Sequence, residues 1–145
     1  MKEEWRDIDG FEGLYQVSNL GRVKRIAHCS NYKGNTLRFL PERIKEQSVD
    51  KSGYKTVSLY SENKMKLCKV HVLVGKAFIP NIENLPQINH KDENKSNNCV
   101  SNLEWCTPHY NNNYGTRNLR MSETKRKQHK CYCNVRDDKG KFSKL

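Results

Sequence analysis

The stretch from Gln87 to Gly115 constrains this chain more than any other. It opens on a short apolar run ending in Asn89-His90 and passes through a loop of Asn, Asp, Lys and Ser too polar to pack. It resumes at Leu103 to Thr107, with Trp105 at the centre. Thr107-Pro108 then reads as a helix start, with Thr as N-cap and Pro where its missing N–H costs nothing. Gly115 reads as the stop, because glycine takes the left-handed backbone that ends helices. The expectation is strand, loop, strand, helix, with His90 positioned to face Asn111 in the first turns of the helix.

The flanking segments have simpler periods. Residues 54–60 alternate, with Val57 and Leu59 on one face and Tyr54, Thr56, Ser58 and Tyr60 on the other, a half-buried strand. Ser61 to Lys64 reads as a hairpin loop and Met65 to Lys69 as the return strand. Val70, Leu73, Val74, Ala77 and Phe78 then fall on one face of a short helix that Pro80 stops, with His71 just off that face. Upstream, Leu14 to Val17 and Arg22 to Ile26 read as strands between the turn signals Asp9-Gly10 and Asn19-Leu20-Gly21. Residues 27–52 have no clear period, and Ser30 to Asn35 reads as a loop. Residues 116–130 are expected to be helical or to order on a partner, and 137–142 to form a small hairpin.

Apolar residues make up 34% of the chain, which predicts small cores joined by polar segments. The net charge of +11 favours a polyanion partner, nucleic acid first. The charge is uneven. Basic groups outnumber acidic ones twelve to four over 18–69 and ten to three over 115–145, but stand three to four over 71–114. Two basic arms therefore flank a near-neutral centre, an arrangement in which the arms hold phosphates on either side of a cation site. Met1-Lys2-Glu3-Glu4-Trp5 lacks the apolar core of a signal peptide, and no apolar run has the length of a membrane span. An intracellular, cytoplasmic protein with reduced cysteines is expected.

Ile88-Asn89-His90-Lys91-Asp92, Asn97-Asn98, Ser101-Asn102-Leu103-Glu104-Trp105 and Thr107-Pro108 with Asn111 together resemble the ββα-metal motif of the HNH homing endonucleases of phages and mobile introns. Trp5, Gly10-Phe11-Glu12, Tyr15, Val17-Ser18-Asn19 and Gly21-Arg22-Val23 resemble the nuclease-associated DNA-binding module that precedes such domains. The resemblance implies an α+β fold in three parts. A β-rich DNA-binding module spans 1–69, an HNH nuclease core with its preceding helix spans 70–115, and a basic DNA-contacting segment spans 116–145. It also implies site-directed cleavage of double-stranded DNA by a monomer, or by a dimer on DNA. Arg22, Lys24, Arg25, Lys55, Arg117, Arg120, Lys125, Arg126 and Lys127 are the candidate DNA contacts.

By the same resemblance His90 is the general base and Asn102 braces the loop and helps orient it. Asn89 and Asn111 are the metal ligands. Phosphodiester hydrolysis needs an activated water, neutralised phosphate charge and help for the leaving oxygen, which a histidine and one divalent cation divide between them. Hard oxygen donors favour Mg²⁺ or Mn²⁺ over zinc. Asn89 departs from the family's frequent Asp, so two neutral amides would leave the cation to phosphate oxygens and water. That departure motivates the alternative, an HNH-scaffold DNA-binding protein or regulator that cuts weakly or not at all. Two rival metal sites fail. A calcium loop from Asp92 lacks Gly at its sixth place (Asn97) and Glu at its twelfth (Leu103), and the cysteines give no C-x-x-C pair.

Overall fold

The computed structural model describes residues 2–32, 36–62 and 64–131. Two compact units divide the chain, Met1–Thr107 and Pro108–Leu145. The first contains every strand that is described: β1 (Trp5–Asp7), β2 (Tyr15–Ser18), β3 (Val23–Arg25), β4 (His28–Tyr32), β5 (Thr36–Leu40), β6 (Arg43–Ile44), β7 (Ser48–Val49), β8 (Lys55–Ser61), β9 (Lys64–Lys69), β10 (Gln87–His90) and β11 (Leu103–Cys106). They form antiparallel sheets in the orders β1-β2-β3-β6, β4-β5, β7-β8-β9 and β10-β11. One helix, α1 (Val70–Phe78), joins β9 to the loop before β10. The second unit carries α2 (Pro108–Asn113), which begins at the proline, and α3 (Arg117–Cys131), with Gly115 between them at φ 59°.

Alternation in β8 is realised in part, since Thr56, expected on the outer face, is buried as well. Val57 and Leu59 are fully buried, while Tyr60 on the other face is exposed. Helix α1 turns Val70, Leu73 and Val74 inward and ends on an extended Ile79 just before Pro80. Its Gly75 is required by packing: a Cβ there would lie 2.2 Å from Ile88 Cδ1, so the helix backbone rests directly on β10. Trp105 on β11 closes the same contact by donating from Nε1 to the Ile79 carbonyl at 2.9 Å.

Separate small cores do not form. Ile8, Phe11, Tyr15, Val17 and Val23 from the N-terminal sheet share one cluster with Val57, Leu59, Val70, Leu73, Val74, Ile88 and Leu103. The reason is α1, whose apolar face is wide enough to serve both the N-terminal sheets and the β10-β11 hairpin. Each fully buried aliphatic side chain contributes roughly 1.5–3 kcal/mol, so pooling them stabilises a chain poor in apolar residues more than splitting them would. The second departure is the expected loop from Ser30. Ser30, Asn31 and Tyr32 lie instead in β4, paired with Arg38, Leu37 and Thr36 of β5. Local period is weak there because both faces of β5 are largely exposed, which removes the alternation that marks a strand. The hairpin expected over 137–142 lies outside the described residues. No helix among the described residues is long and apolar enough to cross a membrane.

Backbone contacts tie the N-terminal turn to the hairpin. Val100 N–H donates to the Asn19 carbonyl at 2.8 Å. Gly21 adopts φ +81°, and a Cβ on it would come within 2.7 Å of Asn98 Cβ. Glycine here serves both the turn and the close approach.

Candidate active site

The loop between β10 and β11 is a set of side-chain-to-backbone turns, the use to which Asn, Asp and Ser are best suited. Asp92 is its hub. Its Oδ2 accepts from Asn97 Nδ2 at 2.7 Å, and its Oδ1 accepts from Asn94 N–H and Asn102 Nδ2, both at 2.8 Å. The Asn97 amide, with the Asn94 N–H and the Asn102 amide after it, holds the Asp92 carboxyl below its ordinary range. Asn102 is buried and braces both ends of the loop. It accepts from Asp92 N–H at 3.0 Å, donates to the Asn97 carbonyl at 2.9 Å, and accepts at its own carbonyl from Lys91 N–H at 2.9 Å.

His90 ends β10 and is buried. Its Nε2 lies 3.0 Å from Asn98 Oδ1. An amide oxygen only accepts, so this bond puts the ring proton on Nε2 and the lone pair on Nδ1. The side chain bonded to the histidine is thus Asn98, while the bonds of Asn102 serve the loop. Two further rings hold His90. His71 of α1 meets it edge-on at 5.1 Å between centroids, and Tyr54 lies 6.0 Å away. Tyr54 also stacks on His71 at 4.9 Å, with Lys69 Nζ 4.7 Å and Lys95 Nζ 4.8 Å from its ring centre.

His71 differs from the expectation of a residue just off the helix's buried face. It is only 6% exposed, and its Nδ1 is buried without a partner among the described residues. Burial, then the neighbouring His90 and Lys69, pushes its pKa down to about 4, so the ring is neutral at physiological pH. Asn98 Nδ2 is the other buried side-chain atom without a partner, and it too belongs to a residue touching His90.

Asn89, one residue before, pairs across the hairpin with Glu104. Its Nδ2 donates to Glu104 Oε1 at 2.9 Å, which leaves its Oδ1 as the free oxygen of the amide. Asn111 lies in α2, within the second unit. Among the described residues no cluster of three His, Cys, Asp or Glu side chains suits a metal ion. Cys29, Cys68, Cys99 and Cys106 are free thiols.

The candidate DNA contacts divide. Arg22 is paired with Glu3, Lys24 lies 3.3 Å from Glu42, and Arg25 donates to the Pro41 carbonyl at 2.9 Å. Lys55 opens β8 opposite Val49. Arg117, Arg120, Lys125, Arg126 and Lys127 all lie on α3 with exposed side chains.

Sequence reasoning assigned no role to Asn98, Tyr54 or Glu104. For Asn98 the sequence carries only the doublet Asn97-Asn98, which does not say which amide turns inward. Tyr54 looked like one more residue on an outer strand face. Glu104 had a usable signal, because pairing Ile88 with Trp105 puts it opposite Asn89.

A small α+β domain in which a helix-backed hairpin ends in a buried histidine bonded to Asn98 has the hairpin frame of the HNH motif. Comparison with known proteins agrees. The NUMOD4 motif matches residues 3–60 and the HNH endonuclease family matches residues 68–113. DNA endonuclease I-HmuI of Bacillus phage SP01 is 39% identical over 108 residues, covering 74% of this chain and 55% of its own length. The uncharacterized HNH endonuclease L247 of Acanthamoeba polyphaga mimivirus is 34% identical over 134 residues, 89% of this chain and 30% of its own length. A solved structure concerned with DNA binding and cleavage by the HNH homing endonuclease I-HmuI superposes with a TM-score of 0.61 at 33% identity, covering 90% of this chain and 68% of the other. The chain belongs to the HNH endonuclease family. It spans about half the length of the phage relative and less of the viral one.

Proposed function

We propose that this chain is a site-directed DNA endonuclease of the homing class that hydrolyses phosphodiester bonds in duplex DNA. His90 is the general base, Asn89 and Asn111 are metal ligands, and one Mg²⁺ or Mn²⁺ is the cofactor. The observation that carries this reading is the 3.0 Å contact between His90 Nε2 and Asn98 Oδ1. It leaves Nδ1 with the lone pair that a base needs. Nδ1 takes a proton from water as the water oxygen bonds to phosphorus and the bridging P–O bond breaks. His71 and Tyr54 restrain the ring, so the base is oriented before substrate arrives. HNH endonucleases are generally divalent-metal dependent. The free Oδ1 of Asn89 is a hard donor that suits such an ion. When bound, the ion would neutralise phosphate charge and assist the leaving oxygen.

DNA is the partner, held by the basic arms. The exposed cations of α3 supply phosphate contacts. Arg22, Lys24, Arg25 and Lys55 supply others, the first three by exchanging their present intramolecular partners for phosphate. The work is done inside the cell that holds the DNA. A monomer with one such centre nicks one strand. A specific observation favours a second reading: Asn89 is neutral where a carboxylate would hold a cation more firmly. On that reading the chain is a DNA-binding scaffold that cuts weakly.

A cleavage assay separates the two. Supercoiled DNA carrying the gene's flanking sequence is incubated with wild type or His90→Ala in Mg²⁺, Mn²⁺ or EDTA. Conversion to open circle by wild type alone, blocked by EDTA, is the result expected. Linear product would point to paired centres. Tight, salt-sensitive binding with no conversion would leave the binding scaffold as the surviving reading.

A further inference from the structure

The neutral metal ligands pose a problem that the strand register answers. Two amide oxygens bring no charge to a divalent ion. Directly across the hairpin from Asn89 stands Glu104, and residues directly opposite in an antiparallel pair project from the same face. The two side chains touch, Asn89 Nδ2 donating to Glu104 Oε1 at 2.9 Å. Asn89 is buried and Glu104 partly so, which makes this a held pair rather than two long side chains meeting in solvent.

We propose that Glu104 is the carboxylate of the metal site, standing one cross-strand step from the position where the family often places Asp. The inference rests on the metal-dependent nuclease reading above and adds to it the residue that supplies the charge. One oxygen of Glu104 accepts from the Asn89 amide nitrogen, which leaves Asn89 Oδ1 outside that bond. The other oxygen lies on the same face and offers the negative charge that Asn89 lacks. A carboxylate and an amide oxygen side by side form a hard, singly charged donor pair, which suits Mg²⁺ or Mn²⁺ and not a soft ion. Glu104 thereby fills a role that the neutral Asn89 had seemed to leave vacant, and the weak-cutting reading loses its motive.

A charge swap tests it. Glu104→Gln keeps the length of the side chain and the oxygen that accepts from Asn89, and replaces the second oxygen and its charge by an NH2 that does not ligate a cation. Mn²⁺ is titrated calorimetrically into the full chain bound to a short duplex of the flanking sequence, for wild type, Glu104→Gln and the pair Asn89→Asp/Glu104→Gln. Circular dichroism melts check that each variant is folded. Removing the charge is expected to weaken Mn²⁺ binding on the order of ten- to a hundredfold, and the double variant is expected to recover most of that loss. Unchanged Mn²⁺ affinity in Glu104→Gln would mean that Glu104 only orients Asn89, and the proposal falls. It falls equally if wild type binds no Mn²⁺, or if Asn89→Asp fails to rescue a folded Glu104→Gln.

Nicking of plasmid by the same proteins keeps the two claims apart. Wild type that nicks, with a Glu104→Gln variant of unchanged Mn²⁺ requirement, preserves the nuclease and removes Glu104 from the metal site. Wild type that never nicks, yet loses Mn²⁺ when the charge is removed, preserves the site and removes hydrolysis.

Discussion

Between neutrality and pH 4.5, acid should destabilise this protein in large part through His71. In the unfolded chain its imidazole titrates near the ordinary 6.5, whereas in the folded protein burial and His90 hold it at about 4. Below 6.5 the unfolded chain takes up a proton that the folded protein refuses, so stability falls with pH through that interval. Above 6.5 neither state is protonated and the contribution is complete, while below about 4 both are protonated and the loss is finished. At about 1.4 kcal/mol for each tenfold in proton affinity, the whole interval is worth roughly 3.4 kcal/mol. Between pH 7 and pH 4.5 the loss is about 2.4 kcal/mol. No solvent discount applies, because the ring is only 6% exposed. The assay is urea unfolding at half-unit steps over that range, for wild type and His71→Phe. Phenylalanine keeps a ring against Tyr54 and His90 and cannot titrate. Asp92 and Asp50, whose carboxyls are also depressed, are present in both proteins and cancel in the difference. Wild type should lose about 2.4 kcal/mol more than the variant. Parallel pH profiles would refute the reasoning, since they would mean that His71 is solvated enough to titrate normally. A second non-titrating variant, His71→Leu, guards against a packing effect peculiar to phenylalanine.

Gly21→Ala places a Cβ 2.7 Å from Asn98 Cβ at a φ of +81°. It is expected to cost about 1–3 kcal/mol in urea unfolding and to slow cleavage more than it weakens DNA binding, because the side chain it displaces holds His90. Binding measured by fluorescence anisotropy against salt should respond to α3. Replacing Lys125, Arg126 and Lys127 with Ala should flatten the slope of log K against log salt by about 2–3, with little dependence on DNA sequence.

The local plan of the chain was legible in its sequence because it is written in short windows. The period of two in β8, the period of 3.6 in α1 and the Pro108 start of α2 each depend on residues within one or two turns of one another. The family, too, was legible, because the Asn89-His90 to Asn111 pattern keeps its order and spacing. By contrast, the β4-β5 hairpin was missed because strands with both faces open leave no alternation to read.

What only the tertiary structure decided is which side chain meets which. Asn98 and Asn102 look alike in the sequence, yet one bonds His90 and the other braces Asp92. The choice turns on Gly21, 77 residues before Asn98, which leaves room for that residue to pack against the N-terminal turn. The merging of the expected small cores into one follows from the width of the apolar face of α1. His71 became a buried neutral neighbour of His90 because Tyr54, just before β8, packs against both rings. Such contacts are fixed by burial and close packing among distant segments, and the hydrophobic effect that drives them is non-directional, so no local pattern records their outcome.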